Sequence, residues 1–194
     1  MTEGVDWLSL EVAAEAVVQG KVVGLPTDTV YGLAVDPFAA RAVASLYELK
    51  GRSGEKPISL LVASSEQAEE IAHLSPGALR LAADHWPGPL TLVVRPWMAL
   101  SEWVGDPVAC TVGLRVPAHP TPLRLLELVG PLAVTSANRS GHPAALDDQE
   151  ARLVFGDDVA VYLAGRCPGR MASTVVDATG RELRVLRRGP VEVA

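Results

Sequence analysis

Helical and extended signals alternate along most of this chain, and no other feature restricts its fold so firmly. "LEVAAEAVVQG" has helical character, with Ser9 placed to cap it and Gly20 to end it. "KVVGLP" follows as a short buried strand. "DPFAARAVASLYELKG" predicts a helix with Asp36 as N-cap, Pro37 as first residue and Gly51 as stop. "ISLLVA" is a strand, and "SEQAEEIAHL" and "SPGALRLAADHW" are helices, the second starting at Ser75 and Pro76. "LTLVVRP" and "VGLRVP" are strands, and "TPLRLLELVG" is a helix opened by Thr121–Pro122 and closed by Gly130. "PLAVTSAN" is a strand running into a polar turn, and "VAVYLA", "STVVDA" and "ELRVLRR" finish the chain as short strands. Strands interleaved with helices are covered on both faces, which predicts an α/β fold: a twisted mixed sheet flanked by helices. The late strands lack intervening long helices, so part of the sheet is expected to be antiparallel. At 194 residues with no repeat or long linker, one domain spanning 1–194 is expected.

The bulk numbers exclude several classes. Hydrophobic residues at 48% and charged ones at 21% are ordinary for a globular protein. No apolar run approaches the roughly 18 to 20 residues of a membrane span. The first twenty residues carry four acids and no Lys or Arg, the reverse of a secretory or mitochondrial leader. With only Cys110 and Cys167, there is no disulfide framework, and a cytoplasmic address with free thiols is expected. The net charge is −6, yet residues 166–188 carry six arginines against Asp177 and Glu182. Such asymmetry can focus positive potential in a cleft, although from charge alone a solvated face is the favoured explanation.

Known catalytic signatures are missing. The chain has no G-x-G-x-x-G and no G-x-S-x-G. Its four histidines and two cysteines show no metal-ligand spacing, which argues against zinc. Two of only three lysines, Lys50 and Lys56, stand with Arg52 in "ELKGRSGEKPISLL". This stretch is not a Walker A loop, because Gly54 is followed by Glu55 and the loop leaves a helix to enter a strand. Any phosphate here would be gripped by Lys and Arg side chains rather than by helix-start amides. Taken alone, the stretch reads better as a helix C-terminus carrying the cations its dipole favours.

Five further polar stretches stand at strand ends. "LPTDTVYGLAVDP" places Thr27, Asp28, Thr29 and Tyr31 after a buried strand, and "TVGLRVPAHP" supplies Arg115 and His119. "VTSANRSG" gives Thr135, Ser136, Asn138 and Ser140, while "ASTVVD" and "LRVLRRG" give Ser173, Thr174, Arg187 and Arg188. Ligands of open α/β sheets bind beyond strand ends. Hydroxyls with arginines and few free carboxylates suit an anionic, hydrogen-bonding ligand.

The ordered set "PTDTVYGL", "KGRSGEKPI", "WPGPLTLVV", "VGLRVPAHP", "TSANRSG" and "STVVD…LRVLRRG" resembles the successive motifs of the YrdC-like family, the threonylcarbamoyl-AMP synthases. The motif-bearing core covers about residues 8–190, and the chain resembles the short members of the family. The resemblance implies a YrdC-like fold with a deep basic cavity. It implies a nucleotidyltransferase that converts L-threonine, bicarbonate and ATP, with Mg²⁺ carried on the ATP phosphates, into threonylcarbamoyl-AMP and pyrophosphate. It also implies a partner, the transferase machinery that delivers the threonylcarbamoyl group to adenosine 37 of tRNA.

Residue by residue, the resemblance puts Lys50 and Arg52 on the triphosphate as the catalytic cations, with Lys56 as an additional phosphate contact. Ser136, Asn138 and Arg187 fall on the nucleotide; Thr27 or Thr29, Tyr31, Arg115, Thr135 and Ser173 fall on threonine. His119 matches a histidine whose role stays open. No protein metal ligand is implied. Lys50 and Arg52 are expected in an exposed loop whose substitution leaves the fold intact. The sequence departs from many relatives at Ser53, Lys56, Leu61 and Ala172, where Pro, Asn, His and Glu are common. Two other readings stand beside this one: a non-catalytic module contacting tRNA or double-stranded RNA through its arginine-rich tail, and a paralogue adenylating another substrate.

Overall fold

The computed structural model describes residues 6–51, 57–101, 103–169 and 171–193. Helix α1 (Trp7–Val18) leads into the hairpin β1 (Val23–Leu25) and β2 (Gly32–Val35), followed by α2 (Ala40–Lys50) and β3 (Ser59–Leu61). Next come α3 (Ser65–Ile71), β4 (Ala72–His73), α4 (Pro76–His85), β5 (Leu90–Pro96) and β6 (Val112–Arg115). Helix α5 (Pro120–Val129), β7 (Leu132–Ser136), α6 (Asp148–Phe155), β8 (Val161–Tyr162), β9 (Thr174–Asp177) and β10 (Arg184–Arg187) complete the order. Nine strands lie in the row β10-β9-β5-β6-β3-β7-β2-β1-β8, and β4 pairs with β5 outside it. The sheet is mixed as expected: β1/β8, β3/β6 and β5/β9 are parallel, while β9/β10 and the other pairs are antiparallel.

Strand parity divides the buried residues between two cores. Leu33, Val35, Leu60, Val62 and Ala133 join the cluster that includes α2, α3, α4 and α6 residues. Their neighbours Ala34, Leu61 and Leu132 join the cluster built on α1 and α5. Alternate side chains of a strand point to opposite faces, so helices cover the sheet on both sides.

Several boundaries differ from the sequence expectations for local reasons. Asp6, not Ser9, caps α1, accepting from the Ser9 amide, and Gly20 follows the helix end at φ 73°. Asp36 accepts from the Phe38 amide and closes a turn, so α2 begins only at Ala40. Gly51 ends α2 in the left-handed region at φ 59°, as expected. The tail of "SEQAEEIAHL" becomes β4 because Ala72 and His73 find ladder partners in Pro96 and Arg95. His119 replaces Thr121 as the opener of α5, its Nδ1 accepting from the Thr121 amide at 3.2 Å. Helix α6 was not anticipated from the sequence: Asp147 caps it, and Glu150 reaches back to accept from the Leu146 amide.

Candidate active site

The β1–β2 loop turns back within a few residues, and its hydroxyls satisfy that turn. Thr27 Oγ1 donates to the Val30 carbonyl at 2.7 Å and accepts from the Thr29 amide at 3.1 Å. The two threonine hydroxyls lie 2.9 Å apart, leaving Thr29 Oγ1 to accept from Arg115. Arg115 ends β6 and is only 7% exposed, so its charge must be partnered. Its Nε donates to the Gly88 carbonyl (3.0 Å), Nη1 to Thr29 Oγ1 (3.0 Å) and Nη2 to Asp28 Oδ1 (2.6 Å). Burial pulls the guanidinium pKa down, and the Asp28 carboxylate opposes that pull. A guanidinium has five N–H donors, so one hydrogen remains on each terminal nitrogen. Asp28 Oδ1 also accepts from the Ala118 amide at 3.1 Å, which ties the start of the α5 connection to the same carboxylate.

A second corner forms where α2 meets the turn after β7. Lys50 is the last residue of α2 and only 3% exposed. For Lys50 this corrects the expectation of an exposed loop: the helix persists to Lys50 and ends at Gly51. The Lys50 ammonium donates to the Ser136 carbonyl at 2.6 Å, to Asn138 Oδ1 at 2.8 Å and to Ser136 Oγ at 3.3 Å. Asn138 faces its oxygen to Lys50 and donates its Nδ2 to the Arg139 and His142 carbonyls, which fixes the amide orientation. The Ser140 amide donates to the Lys50 carbonyl at 2.9 Å, closing the corner from the backbone side.

The third wall comes from the late strands. Ser173 precedes β9, and its hydroxyl lies 2.7 Å from Thr91 Oγ1 on β5. Arg187, at the end of β10, donates from Nη2 to Ser173 Oγ and from Nε to the Ser173 carbonyl, each at 3.1 Å.

These three groups surround one cavity of about 330 Å³. Thr27, Thr29, Lys50, Arg115, Thr135, Ser136, Asn138, Ser173 and Arg187 all line it, although they come from six separate segments. Leu61 and Ala172, two of the departures from many relatives, also line it and add apolar wall. Beneath it, Gly113 leaves room for its neighbours, because a Cβ there would stand 2.7 Å from Ser59 Oγ. Arg52, Lys56 and Ser53 lie outside the described residues.

Two expected site residues lie elsewhere. Tyr31 is fully buried, and its hydroxyl donates to the Leu163 carbonyl at 2.7 Å instead of lining the cavity. Its ring rests against Gly24, where a Cβ would come within 2.9 Å of Cε1. His119 is outside the lining as well; it caps α5, and burial lowers its pKa against the opposing pull of Asp28. The sequence reading assigned no role to Asp28 or Thr91. Asp28 carried a signal, an acid among hydroxyl residues, whereas a threonine inside "LTLVV" looks like any strand residue.

Cys167 lies behind the Thr27 loop, with the Thr27 amide 3.3 Å from its Sγ. Burial pushes this thiol up to about 11, with the Thr27 amide opposing. Below that value it stays protonated, and the thiolate is the reactive form. Iodoacetamide at pH 8 is therefore expected to label exposed Cys110 but not Cys167 in the folded protein. Peptide mass spectrometry reads this, and equal labelling of both thiols would contradict the buried loop.

A family model named for Sua5, YciO and YrdC, and described as "Telomere recombination", matches residues 15–189. A Mycobacterium tuberculosis protein provisionally named a threonylcarbamoyl-AMP synthase is 47% identical over 92% of this chain and 83% of its own length. A Coxiella burnetii protein named "Threonylcarbamoyl-AMP synthase" is 36% identical over 91% of this chain and 97% of its own. The crystal structure of P. abyssi Sua5 complexed with L-threonine superimposes with a TM-score of 0.89 at 34% identity. It covers 96% of this chain, which spans 56% of that longer one.

Proposed function

Because this chain belongs to the Sua5/YciO/YrdC family, we propose that it is an L-threonylcarbamoyladenylate synthase, a nucleotidyltransferase consuming L-threonine, bicarbonate and ATP. One observation carries the reading: Lys50, Arg115 and Arg187, far apart in sequence, share one hydroxyl-lined cavity. Its 330 Å³ lies within the roughly 300–1,000 Å³ of small-molecule sites.

In this reading the cavity has two ends. The spare hydrogens of Arg115, held by Asp28 and Thr29, take the amino-acid carboxylate. Thr27, Thr91 and Ser173 offer hydroxyls nearby, and Leu61, Val134 and Ala172 offer apolar wall for a side-chain methyl. Lys50, Ser136 and Asn138 form the nucleotide end, and Arg187 lines the same cavity beside Ser173. The threonine amine attacks bicarbonate, releasing water and forming a carbamate. A carbamate oxygen then attacks the α-phosphorus of ATP, and pyrophosphate leaves with the bond electrons. The protein contributes alignment and fixed positive charge, and neither step needs a covalent enzyme nucleophile. Among the described residues, no group of three His, Cys, Asp or Glu is placed to hold a metal, and no acid lines the cavity. In this reading Mg²⁺ enters carried on the phosphates of the Mg-ATP substrate.

The adenylate product is a reactive mixed anhydride, so it must pass to an acyl-accepting transferase, here the machinery that modifies tRNA. A cytoplasmic site of action follows from that partner. No helix among the described residues is long and apolar enough to cross a membrane.

Pyrophosphate release from ATP and bicarbonate, compared with threonine, with serine and with no amino acid, tests the proposal. Release that depends on threonine and exceeds that with serine is expected. Equal release in all three conditions would rule the activity out, and serine-selective release would point to the paralogue reading.

A further inference from the structure

A second, larger hollow opens at the opposite end of strands β5 and β9. Thr91 and Ser173 bring one end of these strands to the cavity described above. At the other end, Arg95 and Trp97 on the β5 side meet the turn Ala178–Arg181 after β9 around a space of about 730 Å³. Thr91 and Arg95 are four positions apart on the strand, about 13 Å, and the two hollows share no lining residue. His73 on β4, which pairs with Arg95 beyond the β9 contact, adds its ring to the same rim.

The lining is cationic and aromatic, and it is held in place. Trp97 is 66% exposed, yet its indole N–H is fixed on the Glu69 carbonyl at 2.9 Å and its backbone amide on the Ile71 carbonyl. The His73 ring lies 5.4 Å from the indole, tilted by 59°, so an open aromatic surface has a set orientation. The turn carrying Arg181 is tied by Asp177 Oδ1, which accepts from both the amide and the hydroxyl of Thr179. The other Asp177 oxygen pairs with Arg184 at 3.3 Å. Arg95 and Arg181 have no carboxylate partner among the described residues, and no acid lines the hollow. In a chain with a net charge of −6, two unpaired guanidiniums beside a fixed indole are a local departure from the surface average.

We propose that this hollow is a second ligand site for a phosphorylated nucleoside, the base stacking on Trp97 and the phosphate bridging Arg95 and Arg181. Base stacking on an aromatic ring tolerates any base, and guanidinium forks match phosphate oxygens. Two sources share this chemistry, a free nucleotide and an unpaired nucleotide of an RNA strand. The site lies outside the synthase cavity, so occupancy here leaves threonine-dependent turnover in place.

The test is equilibrium dialysis of the full chain against labelled AMP and, separately, a labelled 5′-phosphorylated single-stranded tetraribonucleotide. The wild type is compared with Trp97→Ala, Trp97→Phe and the pair Arg95→Gln/Arg181→Gln, with pyrophosphate release as a check that each variant is folded. Two molecules of AMP per chain are expected for the wild type and one for Trp97→Ala, with Trp97→Phe keeping the second. Tetranucleotide binding at least tenfold weaker in the arginine pair, with a shallower salt dependence, identifies the strand as the source. Loss confined to AMP identifies the free nucleotide. Unchanged binding of both probes in Trp97→Ala and in the arginine pair overturns the proposal.

Discussion

Lys50→Ala is expected to lower threonine-dependent pyrophosphate release by on the order of 10²–10³-fold while leaving the protein folded. The estimate is that for removing one donor aimed at charge developing in a transition state. Lys50 is a helix-end residue buried against Ser136 and Asn138, so its loss also has a structural cost. Leaving buried acceptors without a donor costs about 1–3 kcal/mol. The lower end applies here, because the Ser136 carbonyl still accepts from the Asn138 amide and Asn138 Oδ1 from the Ser136 hydroxyl. Lys50→Arg is not expected to rescue activity, since a planar fork cannot reproduce a compact ammonium facing three acceptors in one corner. Steady-state rates and thermal midpoints separate the two effects. Near-wild-type turnover in Lys50→Ala would remove the lysine from the chemistry and leave it a purely structural bond.

Arg115→Ala is expected to be the most destabilising single change in the site. It leaves the Asp28 carboxylate, whose side chain is 10% exposed, without its cation. Breaking a buried pair by removing one partner costs about 3–5 kcal/mol. Among the described residues Asp28 Oδ2 has no hydrogen-bond partner, which leaves the Ala118 amide on Oδ1 as the remaining donor. Adding Asp28→Asn to Arg115→Ala should recover part of that loss, because the uncompensated charge disappears. Chemical denaturation of the two single variants and the double variant forms the cycle. In the folded fraction, Arg115→Ala should raise the threonine concentration needed for half-maximal rate far more than the ATP concentration. Stability equal to wild type would contradict the buried pair, and unchanged threonine saturation would contradict its assignment to the carboxylate.

Much of the architecture was legible because helix and strand signals are local. Ser75 with Pro76, and Gly51 after "YELK", mark ends whose geometry depends on a few neighbouring residues. The errors fall where tertiary partners decide. Ala72 and His73 left a helical pattern because β5 offered a ladder edge, and α5 took a histidine as its cap. The site was legible as a set of residue types but not as contacts. Thr27, Thr29, Arg115, Ser136, Asn138, Ser173 and Arg187 converge, whereas Tyr31 turned inward because Gly24 gives its ring a place. Nothing in the local sequence tells that Lys50 faces the turn 86 residues onward, or that Asp28 holds Arg115. Those contacts depend on strand order, with β6 and β7 flanking β3.

On the proposed assignment, the two ends of one hollow take the two halves of one product. The most direct measurement is calorimetric titration of a stable threonylcarbamoyl-AMP analogue, and of threonine alone, into the wild type, Lys50→Ala and Arg115→Ala. Analogue affinity should fall in both variants, while threonine affinity falls only in Arg115→Ala. Analogue binding that is insensitive to either substitution, or threonine binding that depends on Lys50 and not on Arg115, would contradict it.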